Sequence, residues 1–361
     1  MKKVFLFILS VIFFTSCNQK EEVIIGAIFP LTGDAAQWGN PPNKGALLAI
    51  EEINAKGGID GTKVKLISED SQCDPSKGVS GINKLLSTNK PIAIIGGVCS
   101  SVTLAIAPIA EKNNVTLISP ASTNPKISNA GDYIFRAIPS DELRGKVFAE
   151  YIYSQGFKRG AILYINNDGG KGNEETFQKH FKGNGGEILI VESYMPQAQS
   201  VKTQLTKIKE VNPEFLMVVS YPEDAVTVLK DISELKLSIP LFFQTEALDD
   251  PIVLKNAGET AEGVTFITYA DTDNKTSNNF RLAYEKKYNS KPELFAAEAY
   301  DAVYLIADAL KENTDIKNYL YSIKEYLGAS GNLSFDKNGD VIKPLAIKKI
   351  IKSKPHVVTI K

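Results

Sequence analysis

Histidine and cysteine are scarce in this sequence of 361 residues, which has two histidines and three cysteines. His180 lies in a stretch that predicts a helix, and His356 lies near the C-terminus. Neither follows a predicted strand, so a Ser-His-Asp or Cys-His arrangement is not expected. The glycine-flanked serine motif of hydrolases, the P-loop and the CxxC spacing are also absent. These absences argue against an enzyme and a metal centre, and no cofactor is expected.

An excess of charge of one sign is also missing. The 41 Lys and Arg residues nearly balance the 42 Asp and Glu residues, which gives a net charge of −1. No basic stripe with interleaved aromatic residues occurs, so a nucleic-acid partner is not expected. The hydrophobic content of 43% is ordinary for a globular protein, and the length is enough for two domains.

Long apolar runs are absent except near the start of the chain. Lys2 and Lys3 precede an 11-residue apolar run from Val4 to Phe14, which has the length of a signal-peptide core and is too short to span a membrane. No later run approaches the length of a membrane span.

The end of this apolar run, Phe14-Thr15-Ser16-Cys17, resembles the cleavage site of bacterial lipoproteins, in which the cysteine carries the lipid. We therefore predict a signal peptide over 1–16, lipidation of Cys17 and a polar tether over 17–22. The alternative is a plain secretory signal followed by a chance cysteine. Either way the chain is expected outside the cytoplasm, and with the lipid it would be anchored to a membrane of the cell envelope.

Cys73 and Cys99 remain once Cys17 is assigned to the lipid. In an oxidising, extracytoplasmic compartment two such cysteines favour a disulfide. The alternative is a pair of free, buried thiols. A bridge between them would stabilise the fold by about 3 kcal/mol in the chain-entropy model.

Strand-like and helix-like stretches alternate from Val23 onward, in two series. The first series predicts strands at 23–30, 64–70, 91–97 and 115–120, with helices at 43–55, 75–87 and 104–113. The second predicts strands at 160–165, 187–194, 215–221, 240–245 and 263–269, with helices at 142–155, 174–183, 201–211 and 223–235. This alternation is typical of right-handed βαβ units on parallel sheets.

After the second series come two predicted helices at 280–288 and 296–311 and a strand-like end at 332–351, with a hairpin signal at Asn338-Gly339. The late helices need a sheet to pack on, so we expect the chain to return to the first lobe. The predicted fold class is α/β with two Rossmann-like lobes. We assign 23–141 plus 271–340 to lobe 1 and 142–270 plus 341–361 to lobe 2.

Polar and aromatic residues recur just after these predicted strands. Alone, each has an ordinary explanation: a serine pair is usually a turn or helix cap, a tryptophan packs, and a loop glutamate is solvated. Together, hydroxyls at a helix start can bind a carboxylate, a carboxylate in a cleft can bind an ammonium, and aromatic rings form apolar walls. These groups would recognise an α-amino acid between facing lobes. They are Trp38, Ser100, Ser122, Thr123, Tyr221 and Glu246.

Several longer motifs resemble the periplasmic branched-chain amino-acid-binding proteins of ABC importers, over roughly residues 23–345. They are PLTGDAAQWG (30–39), EEINAKGGIDGTKVKLISEDSQCDP (51–75), GGVCSSVT (96–103), LISPASTNP (117–125) and LSFDKNGD (333–340). The resemblance implies the type I periplasmic binding fold, with two lobes joined by three crossovers. It also places Cys73 and Cys99 at the family's disulfide.

The same resemblance implies roles for the site residues. Ser100, Thr123 and the backbone of Ala121 would bind the ligand carboxylate, while Glu246 and the Ala121 carbonyl would bind the ammonium. The apolar and lining positions would be Trp38, Ser122, Tyr221 and Phe295. A monomer that delivers its ligand to a membrane permease is expected.

The sequence departs from the family at Asp168-Gly169-Gly170, where the family commonly has an aromatic residue after the aspartate. We interpret 168–172 as a loop of lobe 2 at the cleft. A missing aromatic lid would enlarge the pocket or change the side chain that it accepts.

The leading prediction is thus a solute-binding lipoprotein without catalytic activity, which binds a branched-chain amino acid. The alternatives are a sensor with the same cleft, the same fold with an amide, urea or carboxylate ligand, and an exported hydrolase.

Overall fold

The computed structural model describes residues 22–270 and 273–360. The predicted signal peptide, Cys17 and nearly all of the predicted tether lie outside the described residues. Within these described ranges, no helix is both long and apolar enough to cross a membrane.

A five-stranded, all-parallel sheet forms the first lobe, in the order β2-β1-β3-β4-β5. Its strands are β1 (Val23–Phe29), β2 (Val64–Asp70), β3 (Ala93–Gly96), β4 (Thr116–Ser119) and β5 (Ile134–Arg136). The central strands β3 and β4 are buried at every residue. Continuous apolar runs such as Ile94-Ile95 are what a parallel sheet covered on both faces requires.

The second sheet has seven strands in the order β14-β13-β10-β9-β8-β6-β7. Strands β6 to β10 are parallel to one another, and β13 and β14 add to the β10 side in antiparallel orientation. These strands are β6 (Arg159–Ile165), β7 (Glu187–Tyr194), β8 (Phe215–Val219), β9 (Leu241–Phe243), β10 (Thr265–Tyr269), β13 (Leu345–Ile351) and β14 (Lys354–Ile360). A short ribbon consists of β11 (Tyr326–Gly328) and β12 (Gly331–Leu333).

Eleven helices are described in the resolved ranges, apart from short 3-10 and π turns. They are α1 (Ala36–Ala55), α2 (Pro75–Lys84), α3 (Ser100–Lys112), α4 (Asp141–Ser154), α5 (Asp168–Gly183), α6 (Lys202–Glu210), α7 (Pro222–Glu234), α8 (Pro251–Ala257), α9 (Lys275–Tyr288), α10 (Ala296–Lys311) and α11 (Ile316–Ser322). The helices of the first series, of the second series and after it are thus confirmed, with shifted ends. Strands β5, β11 and β14 and helices α8 and α11 were not predicted.

The late helices share a hydrophobic core with the first sheet, and α10 packs tightly against α1. A Cβ added to Gly45 of α1 would lie 2.0 Å from the Ala296 carbonyl oxygen, so only glycine allows this contact. The chain therefore passes from the first sheet to the second, back to helices of the first, and again to β13. The prediction of two α/β lobes is confirmed, while the exact residue limits of the lobes stay a prediction.

Both sheets repeat one topology around their centres. The order β2-β1-β3-β4-β5 has the same pattern as β7-β6-β8-β9-β10. In each, the winding direction reverses between the first and third strand of the series, and ligands of doubly wound sheets bind outside the carboxyl ends of the strands at such a point. The segments that follow β1 and β3, and those that follow β6 and β8, are therefore where a site is expected.

Candidate functional site

A cavity of about 370 Å³ lies between the two sheets, at the carboxyl ends of their strands. Seven of the eight residues predicted to contact a ligand line it: Trp38, Ser100, Ala121, Thr123, Tyr221, Glu246 and Phe295. Both members of the Cys73–Cys99 disulfide also line it, with Cα atoms 5.6 Å apart. The predicted pairing of these cysteines is confirmed.

The wall on the side of the first sheet carries hydroxyl and backbone groups. Helix α3 begins at Ser100, three residues after the end of the predicted strand, and no side chain in the described part of the chain caps its N-terminus. The first N–H groups of this helix therefore remain available to an anion, which the helix dipole also favours. The Ser100 hydroxyl accepts a hydrogen bond from the Asn124 backbone N–H at 3.3 Å, which ties α3 to the loop after β4.

That loop carries Ala121, Ser122 and Thr123, of which Ala121 and Thr123 line the cavity. Ser122 is fully buried behind it. Its hydroxyl donates to the Gly97 carbonyl at 2.7 Å and lies 2.7 Å from the Thr103 hydroxyl. The geometry gives Ser122 a structural place under the wall, and its predicted contact with a ligand gains no support.

Aromatic side chains close the cavity from both sides. Trp38, near the start of α1, and Tyr221, directly before α7, make an edge contact with ring centroids 5.3 Å apart. Phe295 caps α10 in the left-handed region, at a φ of 69°. This conformation is unusual for a bulky residue, and strained backbone is often found at ligand sites.

The glycine-rich segment 168–172 was predicted to be a loop, and this is wrong: it forms the first turn of α5. The side chain of Asn167 accepts a hydrogen bond from the Gly170 N–H at 2.8 Å, which starts the helix. A Cβ at Gly169 would lie 2.4 Å from the Tyr221 hydroxyl oxygen. Tyr221 therefore occupies space beside Gly169, and the absent aromatic residue does not leave a simple gap.

The wall on the side of the second sheet is charged. Glu246, after β9, accepts a hydrogen bond from the Arg144 guanidinium at 2.8 Å. Arg144 is buried on α4, and it also donates to the Tyr269 hydroxyl and, at 3.4 Å, to the Gln244 carbonyl. Burial by itself lowers the pKa of Arg144, but Tyr269, Glu246 and Asp141 favour its charged form and together raise that pKa above its usual value. Glu246 is thus held by Arg144 at one oxygen, Oε2.

Asp141, the first residue of α4, lies fully buried behind this wall. Its N–H donates to the Thr123 carbonyl at 2.9 Å. Burial raises the pKa of its carboxyl to about 6, although Arg144 and the Thr123 hydroxyl act in the opposite direction. Neither carboxylate oxygen has a donor in hydrogen-bonding geometry among the described residues.

Sequence reasoning missed Arg144 and Asp141, because neither follows a strand. The helix predicted over 142–155 starts one residue after Asp141, whereas α4 includes it, and the spacing of three then places Asp141 and Arg144 on one face. Within residues 22–270 and 273–360, no group of three or more His, Cys, Asp or Glu side chains is arranged to hold a metal ion.

Comparison with known proteins agrees with this geometry. The family model described as periplasmic binding protein matches residues 22–354. A leucine-, isoleucine-, valine-, threonine- and alanine-binding protein of Pseudomonas aeruginosa is 27% identical over 319 residues, covering 86% of this chain and 85% of the relative.

Two solved structures are similar over nearly the whole chain. One is a leucine-binding protein of Thermotoga maritima, with a TM-score of 0.82 and 26% identity, covering 94% of this chain and 98% of that one. The other is a branched-chain amino acid transporter substrate-binding protein of Streptococcus pneumoniae in complex with isoleucine, with a TM-score of 0.81, 28% identity and coverage of 94% and 99%. The chain therefore belongs to the periplasmic binding protein family.

Proposed function

We propose that the protein is the extracytoplasmic solute-binding component of an ABC importer and that it binds an amino acid, with the branched-chain aliphatic ones as first candidates. One observation carries this proposal. Ser100 and Thr123, with their hydroxyl and N–H groups, and Glu246, with its carboxylate, line one cavity of about 370 Å³. That volume lies in the usual range for small-molecule sites.

The carboxylate of the ligand would bind on the side of the first sheet. The Ser100 hydroxyl, the free N–H groups at the start of α3 and the loop at Ala121 and Thr123 supply donors there. Fixed dipoles of this kind stabilise an anion without a counter-ion. A neutral wall also leaves the ligand free to carry a balancing cation at its other end.

The ammonium would bind between the Ala121 carbonyl and Glu246, whose Oε2 is already held by Arg144. A carboxylate that is positioned by one cation can still accept from a second through its other oxygen. The side chain of the ligand would then lie against Trp38, Tyr221 and Phe295. Recognition is the whole chemistry of this arrangement, and we assign it no catalytic step.

The named specificities of the relatives support the choice of ligand, since they bind leucine, isoleucine or valine. The charged start of the chain and its apolar run support export, with lipidation at Cys17 and the polar tether after it. We propose that the lipid anchors a monomer at the membrane and that the ligand-bound form docks on a permease.

Calorimetric titration of the chain from residue 21 onward, stripped of ligand by unfolding and refolded with its disulfide intact, tests the proposal against the twenty amino acids. We expect one-to-one binding of leucine, isoleucine or valine. Binding of another amino acid alone would keep the recognition of the ligand backbone and change the side-chain assignment. Failure of all twenty to bind would overturn the proposal.

A further inference from the structure

We propose that Asp141 is a positioning residue that makes the cavity prefer a ligand with an ammonium group over the same ligand without one. This inference rests on the proposed function and adds to it a residue that does not line the cavity. It is carried by the position of a fully buried carboxylate directly behind two lining residues, Thr123 and Arg144.

The position of Asp141 is fixed by its backbone. Its N–H donates to the Thr123 carbonyl at 2.9 Å, which brings the first turn of α4 against the cavity wall. The Thr123 hydroxyl and the Arg144 guanidinium both act on the carboxylate, without the geometry of a hydrogen bond to it. In these surroundings the negative charge of the buried Asp141 carboxylate is only partly compensated. Such a charge destabilises the folded protein unless a further cation lies near it.

The charges around Asp141 do not supply that cation. Arg144 is committed to Glu246 at 2.8 Å, and Arg136, which also acts on Asp141, binds Asp340 at 2.6 Å.

The hydroxyls of Tyr221 and Tyr269 face the same group but are neutral, since burial raises the pKa of both far above the physiological range. Arg144 thus lies near the carboxylates of both Asp141 and Glu246 but is hydrogen-bonded to Glu246 and not to Asp141. The ammonium of a ligand supplies the missing positive charge.

Asp141 acts through its neighbours. An acceptor behind Thr123 draws the hydroxyl proton inward, so the hydroxyl oxygen can accept from the ligand ammonium, while the backbone N–H of Thr123 remains as the donor to the ligand carboxylate. The same carboxylate competes with Glu246 for Arg144, which leaves Glu246 more able to bind the ligand. An α-keto acid with the same side chain lacks the ammonium. When it binds, its carboxylate would lie near the carboxylates of Asp141 and Glu246 without a cation that balances them, so its binding is expected to be weaker.

A pH dependence with a defined sign follows. Burial raises the pKa of the Asp141 carboxyl to about 6, and an ammonium bound nearby lowers that pKa again. Leucine stays a zwitterion across this range, so its binding should release protons near pH 6. Its affinity should rise from about pH 5 to about pH 7, by at most about tenfold per pH unit, and then level off.

The test compares leucine with its α-keto acid, α-ketoisocaproate, on the wild type, Asp141→Asn and Glu142→Gln. Glu142 is the next residue of α4, but its carboxylate is held by Lys179 and His180, away from the cavity. Calorimetry at several pH values gives both affinities. For Asp141→Asn we expect the preference for leucine over the keto acid to fall by about tenfold or more and the pH profile to flatten. Glu142→Gln should change neither.

An unchanged preference in Asp141→Asn would overturn the role of Asp141 alone, because leucine binding by the wild type would still support the proposed function. A wild type that binds no amino acid would overturn both. If Asp141→Asn does not fold, proton release by the wild type decides. Titration near pH 6 in buffers of different ionisation enthalpy should show protons released on binding leucine, and the absence of release would contradict the inference.

Discussion

The two walls of the cavity come from the same sheet topology but use different chemistry. The wall on the side of the first sheet presents the Ser100 hydroxyl, the loop at Ala121 and Thr123, and the uncapped start of α3, all of which are uncharged. The wall on the side of the second sheet presents Arg144 and Glu246, joined at 2.8 Å.

This difference shows how one cavity can hold a zwitterion. Backbone and hydroxyl dipoles are fixed by the fold and need no counter-ion, so they can remain in place when the site is empty. Buried charges are unstable alone, so the charged wall has to keep a cation and an anion together. The neutral wall should therefore tolerate change better than the charged wall, and variants of each wall can test that difference.

The largest effect is expected on the charged wall, from Glu246→Gln. This change removes the partner of the ligand ammonium and leaves the buried Arg144 without its ion pair. Truncating one member of a buried pair costs about 2–4 kcal/mol, so affinity for leucine should fall on the order of 100-fold in calorimetry. Glu142→Gln on the same side is the control. Normal binding by Glu246→Gln would show that the ammonium binds elsewhere.

A smaller effect is expected on the neutral wall, from Ser100→Ala. The variant loses one hydroxyl donor to the ligand carboxylate, and the Asn124 N–H loses its acceptor. A hydrogen bond to a charged group contributes about 1.5–3 kcal/mol, so affinity should fall about 10-fold to 100-fold. Ser76→Ala on α2 serves as the matched control, because the Ser76 hydroxyl donates to the Asp74 carboxylate at 2.5 Å and Ser76 does not line the cavity. If Ser100→Ala bound as tightly as the wild type, the anion would have to be held by backbone groups alone.

Whether a residue of either wall could be predicted from the sequence depends on its position relative to the predicted strands. Ser100, Thr123, Tyr221 and Glu246 come soon after predicted strands, and parallel strands bring their carboxyl ends to one edge. That rule was enough to gather most of the lining residues. The resemblance to a known family added Ala121 and Phe295, which no local pattern singles out.

Arg144 and Asp141 could not be found in that way, because they belong to the start of helix α4, from which Arg144 reaches the cavity while Asp141 lies behind its wall. Their importance depends on which elements pack together across the chain: Arg144 contacts Gln244 and Glu246, about a hundred positions away. The start of α5 was also missed, since glycines at 169, 170 and 172 lower helix propensity while packing and the Asn167 cap favour the helix.

A further test separates the surface of the neutral wall from its support. Ser122→Ala removes a fully buried hydroxyl that bonds the Gly97 carbonyl and contacts the Thr103 hydroxyl. The Gly97 carbonyl keeps the Thr103 and Ser119 hydroxyls as donors, so the loss of the Ser122 hydrogen bond should lower the free energy of unfolding by about 1 kcal/mol, measured in denaturant, with little change in leucine affinity. A large loss of affinity at unchanged stability would instead support the ligand contact that the sequence predicted for Ser122.

The smallest effect is expected where the two walls meet, from Gly169→Ala. An alanine Cβ would lie 2.4 Å from the Tyr221 hydroxyl, so the ring has to move from its contact with Trp38. We expect a loss of leucine affinity of about threefold to tenfold, near 1 kcal/mol, without a loss of stability, because alanine also favours the helix. Trp38 is the one tryptophan of the sequence, so its fluorescence reports the displaced ring directly.

Adding Tyr221→Phe to Gly169→Ala removes the clashing oxygen and should restore most of the affinity that Gly169→Ala loses. Tyr221→Phe alone is the matched control. If the double variant binds no better than Gly169→Ala, the hydroxyl is not the cause of the loss. The contact between the Trp38 and Tyr221 rings would then depend on the position of the α5 backbone. In that case helix α5 would hold the charged wall in place, as the strands of the first sheet hold the neutral wall.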